Sequence, residues 1–487
     1  MTTTPLAATS TPTDDPRPPD AAKPRERTPW LLGFLCLLIP ILPAYSIPAG
    51  PLKSNGSPAK LIAVLFFGLA LLGFLFVRRT GLTRTVRPGV LIILFYFLLQ
   101  LTVYGVGLTN VDSALVAGSR TRALINLVAN VGVALYILSR VRSTRQRNIV
   151  LGCLAVGLAF ACLVGLLQSL TNIDLRFFFQ PEGFVANTDE LEMGERWGAT
   201  RVMGTSQHAI EFSLLAAITV PLAIYFSRNA TKWPVRLAAV LTCGVALAAM
   251  PAAISRTGLI ALAAALLVYM WKFKLRHLVV GVVVGGLALG AYILAFPDIT
   301  NALYNTIVNS EQDPSVLSRT ADYALVSKTF QAHPIFGLGL GGTPPAQFGY
   351  LDNEWLQAIV QGGILSVTAL MVLTGGGLFG IAAALRRATT PLERNQAYTL
   401  GSMLVAMLVC TFTFDLFNFQ QAVRIFFIVF GLLWCNFAVP FHGTTPIGAL
   451  HVRFDRSDRL LRCPTPGVER SRIRASALRL REDRIID

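Results

Sequence analysis

Charge is what this 487-residue sequence has least of: Asp, Glu, Lys and Arg together make up 14% of it. Soluble domains carry about 25% charged residues, and 53% hydrophobic residues with a mean hydropathy of +0.58 leave more apolar surface than a water-soluble core can hide. A set of soluble domains is therefore excluded, and the bilayer is the expected solvent. Acidic residues are scarcer than basic ones, 26 against 42, and histidine occurs five times. Of the seven cysteines, Cys36, Cys153, Cys162, Cys243, Cys410 and Cys435 fall inside apolar runs and Cys463 falls in the C-terminal tail. With none in a polar loop, a disulfide framework or a cysteine metal site is not expected.

What is present is a series of apolar runs, at 30–49, 59–77, 88–108, 121–138, 149–170, 208–226, 235–254, 258–271, 277–296, 353–385, 397–413 and 421–441. At 1.5 Å per residue, about 20 residues cross a hydrocarbon core of about 30 Å as a helix. The expected fold is all-α, a polytopic membrane protein of about twelve spans. The longest run, 353–385, should begin as a tilted or partly buried helix and then cross. Residues 1–29, rich in Pro and Thr, read as a disordered tail, and a cleaved signal peptide is not expected ahead of so long a first run.

Most Lys and Arg fall in alternate connections, including Arg78, Arg79, Arg140, Arg142, Arg386 and Arg387, and in the arginine-rich tail 442–487. The positive-inside bias then puts both termini in the cytoplasm. The net charge of +16 thus marks anchoring against anionic lipid, not nucleic-acid binding. The stretch GVERSRIRASALRLRED within that tail can form a basic amphipathic helix or stay solvated.

Two outside segments are long, 171–207 and 297–352. Long loops on a rigid scaffold are where function concentrates. In the second, SVLSRTADYALVSKTFQAH reads as a helix with Ser318 as its cap, ended by His333-Pro334. Gly337, Gly339, Gly341 and Gly342 follow; such glycines bring backbone N–H groups close to an anion, or simply form an irregular turn.

Cations on the outer side run against the bias. Arg201 precedes the 208–226 run in RVMGTSQHAI, and Arg256 sits in ISRTG almost at membrane depth, where a lone charge costs about 2.5–3.5 kcal/mol. Arg256 is a site candidate, the alternative being that it snorkels to the headgroups. Arg319, Lys328 and Arg122 can converge with them on a phosphate, which guanidinium forks bind in bidentate fashion. Asp352, Glu354 and Asp415 lie at the same side. Asp352 can take a proton from a hydroxyl, or only cap the helix that begins at Glu354.

The order of these pieces resembles the O-antigen ligase and polymerase superfamily of bacterial membrane glycosyltransferases. The matching pieces are Arg201 in RVMGTSQHAI, Ser255-Arg256-Thr257-Gly258, His333-Pro334-Ile335-Phe336-Gly337-Leu338-Gly339, and Asp352-Asn353 followed by Gly363, spread over 200–385 within a likeness covering about 120–435. The resemblance implies metal-independent transfer of a glycan from undecaprenyl diphosphate to an acceptor hydroxyl outside the cytoplasmic membrane, with a glycan, lipid or protein as acceptor and no cofactor. Arg201 and Arg256, with Arg319 and the turns at Gly337 and Gly339, would hold the diphosphate. Asp352 or His333 would be the base, with Asn353, Glu354, Gly363, Lys328 and Arg122 in support. In O-antigen ligases a histidine occupies the position of Asp352, so the aspartate looks more like the polymerases and the Gram-positive or actinobacterial relatives. The alternatives from other classes are a multi-span solute or ion transporter of bicarbonate type and a non-catalytic membrane scaffold. A transporter should show ionisable residues at mid-membrane and repeated broken helices, and no repeat between the halves is apparent.

Overall fold

The computed structural model describes residues 28–441, apart from the short stretches 51–54, 77–83, 111–112, 187–192, 272–274, 310–313 and residue 438. The expected N-terminal tail 1–29, but for its last two residues, and the basic tail 442–487 with Cys463 and its candidate amphipathic helix lie outside the described residues.

The described chain is all-α with a few short strands. Its helices are α1 (Trp30–Ile41), α2 (Pro58–Phe76), α3 (Pro88–Gly107), α4 (Ala114–Arg140), α5 (Thr144–Thr171), α6 (Ala209–Asn229), α7 (Trp233–Ala249) and α8 (Arg256–Met270). There follow α9 (Leu275–Ala295), α10 (Pro297–Val308), α11 (Pro314–Ala332), α12 (Pro345–Phe348), α13 (Glu354–Arg387), α14 (Pro391–Cys410) and α15 (Gln420–Trp434). Local chemistry sets many of the ends. Ser143 and Gln146 form a capping box at the start of α5, and Thr390 and Glu393 form another at α14. Pro88 opens α3, where its missing N–H has no partner to lose.

Each of the twelve apolar runs contains a helix, although the first is helical only to Ile41 and the last only to Trp434, and the count of twelve spans is not reached by length and composition. Seven described helices are long and apolar enough to cross a membrane, or eight if Gly285–Ala295 and Pro297–Val308, bent by 109°, count as one span. α1, α8 and α15 are shorter apolar helices of 12, 15 and 15 residues. α15 is buried on every face from Gln421 to Trp434, and α6 is buried over most of its length, so these two form the centre of the bundle. Around them α2 packs on α4, α1 on α5, α3 on α13, and α14 on α8 and α6. Apolar side chains that point outward, such as Trp271 at 90% and Leu294 at 86% exposure, face where lipid would lie. The six described cysteines are free.

The two long segments hold short strands and helices among their described residues. In the first, Ser46–Pro48 pairs antiparallel with Phe184–Ala186. A hairpin joins Glu195–Arg196 to Ala199–Thr200 through Trp197 and Gly198, both at positive φ as a tight primed turn requires. In the second, α11 begins at Pro314, so Ser318 lies inside the helix and not at its cap, while His333 does follow its last residue.

α13 is one long helix with a break. Gly363 has φ 54° and ψ −142°, outside the helical region, and a Cβ there would collide with the backbone of Pro334 and Ile335. The break releases backbone groups, and the His333–Gly339 turn takes them up. Ile364 N–H donates to Pro334 O at 2.9 Å, Leu365 N–H to Ile335 O at 3.3 Å, and Leu338 N–H to Val360 O at 2.9 Å. Gly337, at φ 55°, lets the turn lie against the backbone of 360–362. The histidine-proline-glycine stretch is thus a backbone plug in the α13 break.

Candidate active site

A cavity of about 1140 Å³ opens among α2, α3, α4, α8 and α13, the hairpin at 195–200 and the loop 413–420. Arg201, Arg256 and Asp352, which sequence reasoning had placed together, all line it, as do Arg122 and Glu354.

Its cationic wall is built from an unusual corner. Between α7 and α8 the chain makes a short 3-10 turn, Pro251–Ala253, and then puts Ile254 at φ 46°, ψ 54°, fully buried. A β-branched residue there is strained, at an order of 1–3 kcal/mol, and survives only where neighbours hold it. They do: Ala252 O accepts from Val202 N–H at 3.1 Å, Ala253 O from Arg201 Nε at 3.1 Å, and Ile254 O from Arg196 Nη1 at 3.4 Å. Three consecutive carbonyls are therefore tied to the hairpin and the residues just after it, and the corner delivers Arg256 as the first residue of α8 at the cavity wall. Arg196, which the sequence analysis did not single out, lines the cavity beside them.

The opposite wall is acidic. Asp352 was a candidate cap for α13, but the cap is Asn353, whose Oδ1 accepts from Trp355 N–H at 2.8 Å and Leu356 N–H at 3.4 Å. The helix begins at Glu354, which makes Asn353 the residue in register for that bond. Glu354 is buried and accepts from Phe417 N–H at 2.9 Å, while its own N–H donates to Thr411 O at 2.9 Å. That stitching brings the loop after α14, with Asp415, against the start of α13. Burial pushes the Asp415 carboxyl up to about 7; the nearby charge of Asp352 adds to this, and a 3.2 Å hydrogen bond from Asn418 Nδ2 opposes it. Asp352 and Asp415, which both line the cavity, are thus electrostatically coupled.

His208 was quoted within RVMGTSQHAI without a role. It lies one residue before α6, and its Nδ1 accepts from Ile210 N–H at 3.2 Å. Its ring lines the cavity, where burial, then the guanidinium charges of Arg201 and Arg196, push the imidazole down to about 4. Its place seven residues after Arg201, as the polar first residue of the 208–226 run, was the signal available in the sequence.

Several expected residues stand elsewhere. His333 is exposed at the end of α11, Lys328 is exposed on α11, and neither lines the cavity. Gly337 and Gly339 are not in the lining; the N–H of Gly337 goes to His333 O at 3.0 Å, and Gly339 lies against Gly107 and Arg120, whose Nη2 donates to Leu338 O at 2.9 Å. Gly341 does reach the cavity, with its N–H on Gln361 Oε1 at 3.2 Å. Arg319 lies on α11, and its side chain is outside the described ones.

Residues 238–371 match the family model described as O-Antigen ligase. Over that stretch the chain is similar to O-antigen ligases. No curated protein matches it. Inside the O-antigen ligase match lie the strained corner with Arg256, the His333–Gly339 plug, Asp352 and the Gly363 break, whereas Arg201 and His208 precede it and Asp415 follows it. The O-antigen ligase segment therefore supplies only part of the cavity wall, and the helices on either side complete it.

Proposed function

We propose that this multi-pass protein transfers a glycan from undecaprenyl diphosphate to an acceptor hydroxyl on the extracytoplasmic face of a bacterial cytoplasmic membrane, with both termini in the cytoplasm. The observation that carries the reading is the meeting of Arg201, Arg256 and Asp352 in one cavity, although they come from three separate segments. The O-antigen ligase match supports glycan transfer in general, and it lends nothing to a transporter.

In this reading Arg201 and Arg256, joined by Arg196, bind the diphosphate through fixed forks and stabilise the charge that grows on it as the sugar leaves. Arg201 is oriented by its Nε bond to Ala253 O, so little reorganisation is needed when substrate arrives. Asp352 accepts the acceptor proton as the acceptor oxygen bonds to the anomeric carbon; the carbon–phosphate oxygen bond breaks with its electron pair going to the diphosphate. The transfer is metal-independent in this reading, with charge compensation from the guanidinium groups. His333, exposed and away from the cavity, is not assigned as base. The acceptor is a glycan, lipid or protein hydroxyl.

The test compares surface polysaccharide and lipid-linked glycan in cells expressing wild type, Arg256→Ala or Asp352→Ala at matched membrane levels. Build-up of undecaprenyl-diphosphate glycan with loss of polymer or conjugate in both variants is the expected result. An unchanged glycan profile in both sinks the reading.

A further inference from the structure

We propose that His208 is a fixed hydrogen-bond donor to the diphosphate, through an Nε2–H that the start of α6 sets in place; this rests on the glycosyl-transfer reading above. His208 Nδ1 accepts the Ile210 N–H at 3.2 Å. A nitrogen that accepts carries no proton, so the ring is neutral and its hydrogen sits on Nε2. Among the described residues no hydrogen bond reaches Nε2, and the ring lines the same cavity as Arg196, Arg201 and Arg256.

The ring is held by its Nδ1 cap bond and by a neighbouring aromatic ring. Its backbone is extended, φ −145° and ψ 152°, and its carbonyl accepts from Phe212 N–H at 3.1 Å. The preceding residue, Gln207, donates its N–H to Glu211 Oε2 at 3.1 Å. Glu211 in turn accepts from Gln421 N–H at 2.9 Å and Ala422 N–H at 3.0 Å, so the start of α6 is bolted to the start of α15. Phe419 packs on the imidazole with ring centroids 6.2 Å apart. Swinging the ring away would cost the cap, so the Nε2 direction is set before substrate binds, which is what electrostatic stabilisation requires.

A neutral donor suits this place. A further cation beside the guanidinium groups would meet repulsion, whereas a neutral N–H adds one directed, charge-assisted bond to an anion. During transfer the bond between the anomeric carbon and the diphosphate oxygen breaks with its electron pair going to that oxygen. The acceptor oxygen bonds to the carbon and its proton goes to the carboxylate. His208 keeps its proton throughout, so it binds and does not act as a general acid.

A purely structural role, capping α6, makes different predictions, and two substitutions separate them. His208→Asn places an amide oxygen where Nδ1 stands and keeps the cap, but reaches no donor to the Nε2 position. His208→Gln places its amide nitrogen near Nε2 and gives up the cap. Purified full-length protein in detergent is titrated with undecaprenyl diphosphate, and its thermal midpoint is recorded alongside. His208→Asn should keep the midpoint and weaken undecaprenyl diphosphate binding by about ten-fold or more, the scale of one hydrogen bond to a charged group. His208→Gln should lower the midpoint yet bind within about three-fold of wild type. Wild-type affinity in His208→Asn overturns the proposal, as does affinity that merely follows the midpoint in both variants. Wild type that fails to bind undecaprenyl diphosphate overturns the transfer reading and this inference with it, a result distinct from either of those.

Discussion

The backbone N–H of Ile364 donates to the carbonyl oxygen of Pro334 at 2.9 Å, a bond open to it because α13 breaks one residue earlier, at Gly363. Through it the end of the long segment 297–352 is fastened to a membrane helix, and the chain that follows the plug leads into Asp352.

Gly363→Ala should therefore be strongly destabilising, since the backbone there has φ 54° and the new methyl would meet Pro334 and Ile335. About 1–3 kcal/mol is expected from the conformation alone, read as a lower thermal midpoint in detergent and a lower membrane level. Gly375, on the same helix with open space around its Cα, is the control. Gly375→Ala should be neutral or stabilising by up to about 1 kcal/mol. Equal midpoints for the two variants would refute the plug.

Arg201→Ala and Arg256→Ala should each cut transfer by about 10²–10³-fold, the usual effect of losing one donor from an anion-stabilising site. His333→Ala and Lys328→Ala, exposed and outside the cavity, should stay within about two-fold of wild type in the ratio of polymer to lipid-linked glycan. A His333→Ala protein as inactive as Arg256→Ala would return the base to that turn.

Asp415 titrates at about 7 in the folded protein, against an ordinary 3.8. The folded state holds the extra proton between these values, so the stability tied to it is complete below the lower value and lost as pH rises through the upper one. Asp415→Asn, neutral at all pH, should raise the thermal midpoint over wild type by an amount that grows from about pH 4 to about pH 7 and then levels off. Asp352→Asn removes one of the causes of the shift and should move the upper end of that window to lower pH. A wild-type advantage of constant size across the range would contradict the coupled pair.

Asn353 caps α13 with two backbone bonds. Asn353→Ala should cost about 1 kcal/mol of stability, and Asn353→Asp should restore the cap. With the acid next to Asp352 and Glu354, however, the restored cap should come with reduced transfer, measured as the same glycan ratio. Full transfer in Asn353→Asp would show that the carboxylate wall tolerates another charge.

The sequence by itself determined that this chain is built from apolar helices suited to a bilayer, the rough place of each, and that Arg256 is a costly residue at a helix start. Those features follow from apolar run length, charge scarcity and the insertion cost of a lone guanidinium, all of which are local. Tertiary structure alone decided which helices lie at the centre, since α15 is buried on every face and α6 over most of its length while their neighbours keep outward apolar faces. It also turned the glycine stretch from a candidate anion cradle into a plug, because the partner groups freed at Gly363 lie in a different helix. The same holds for His208, Arg196 and Asp415, whose roles come from the strained Ile254 corner and from the stitching of Glu354 to Phe417. Such contacts join residues distant along the chain, and no spacing pattern records which of them will meet.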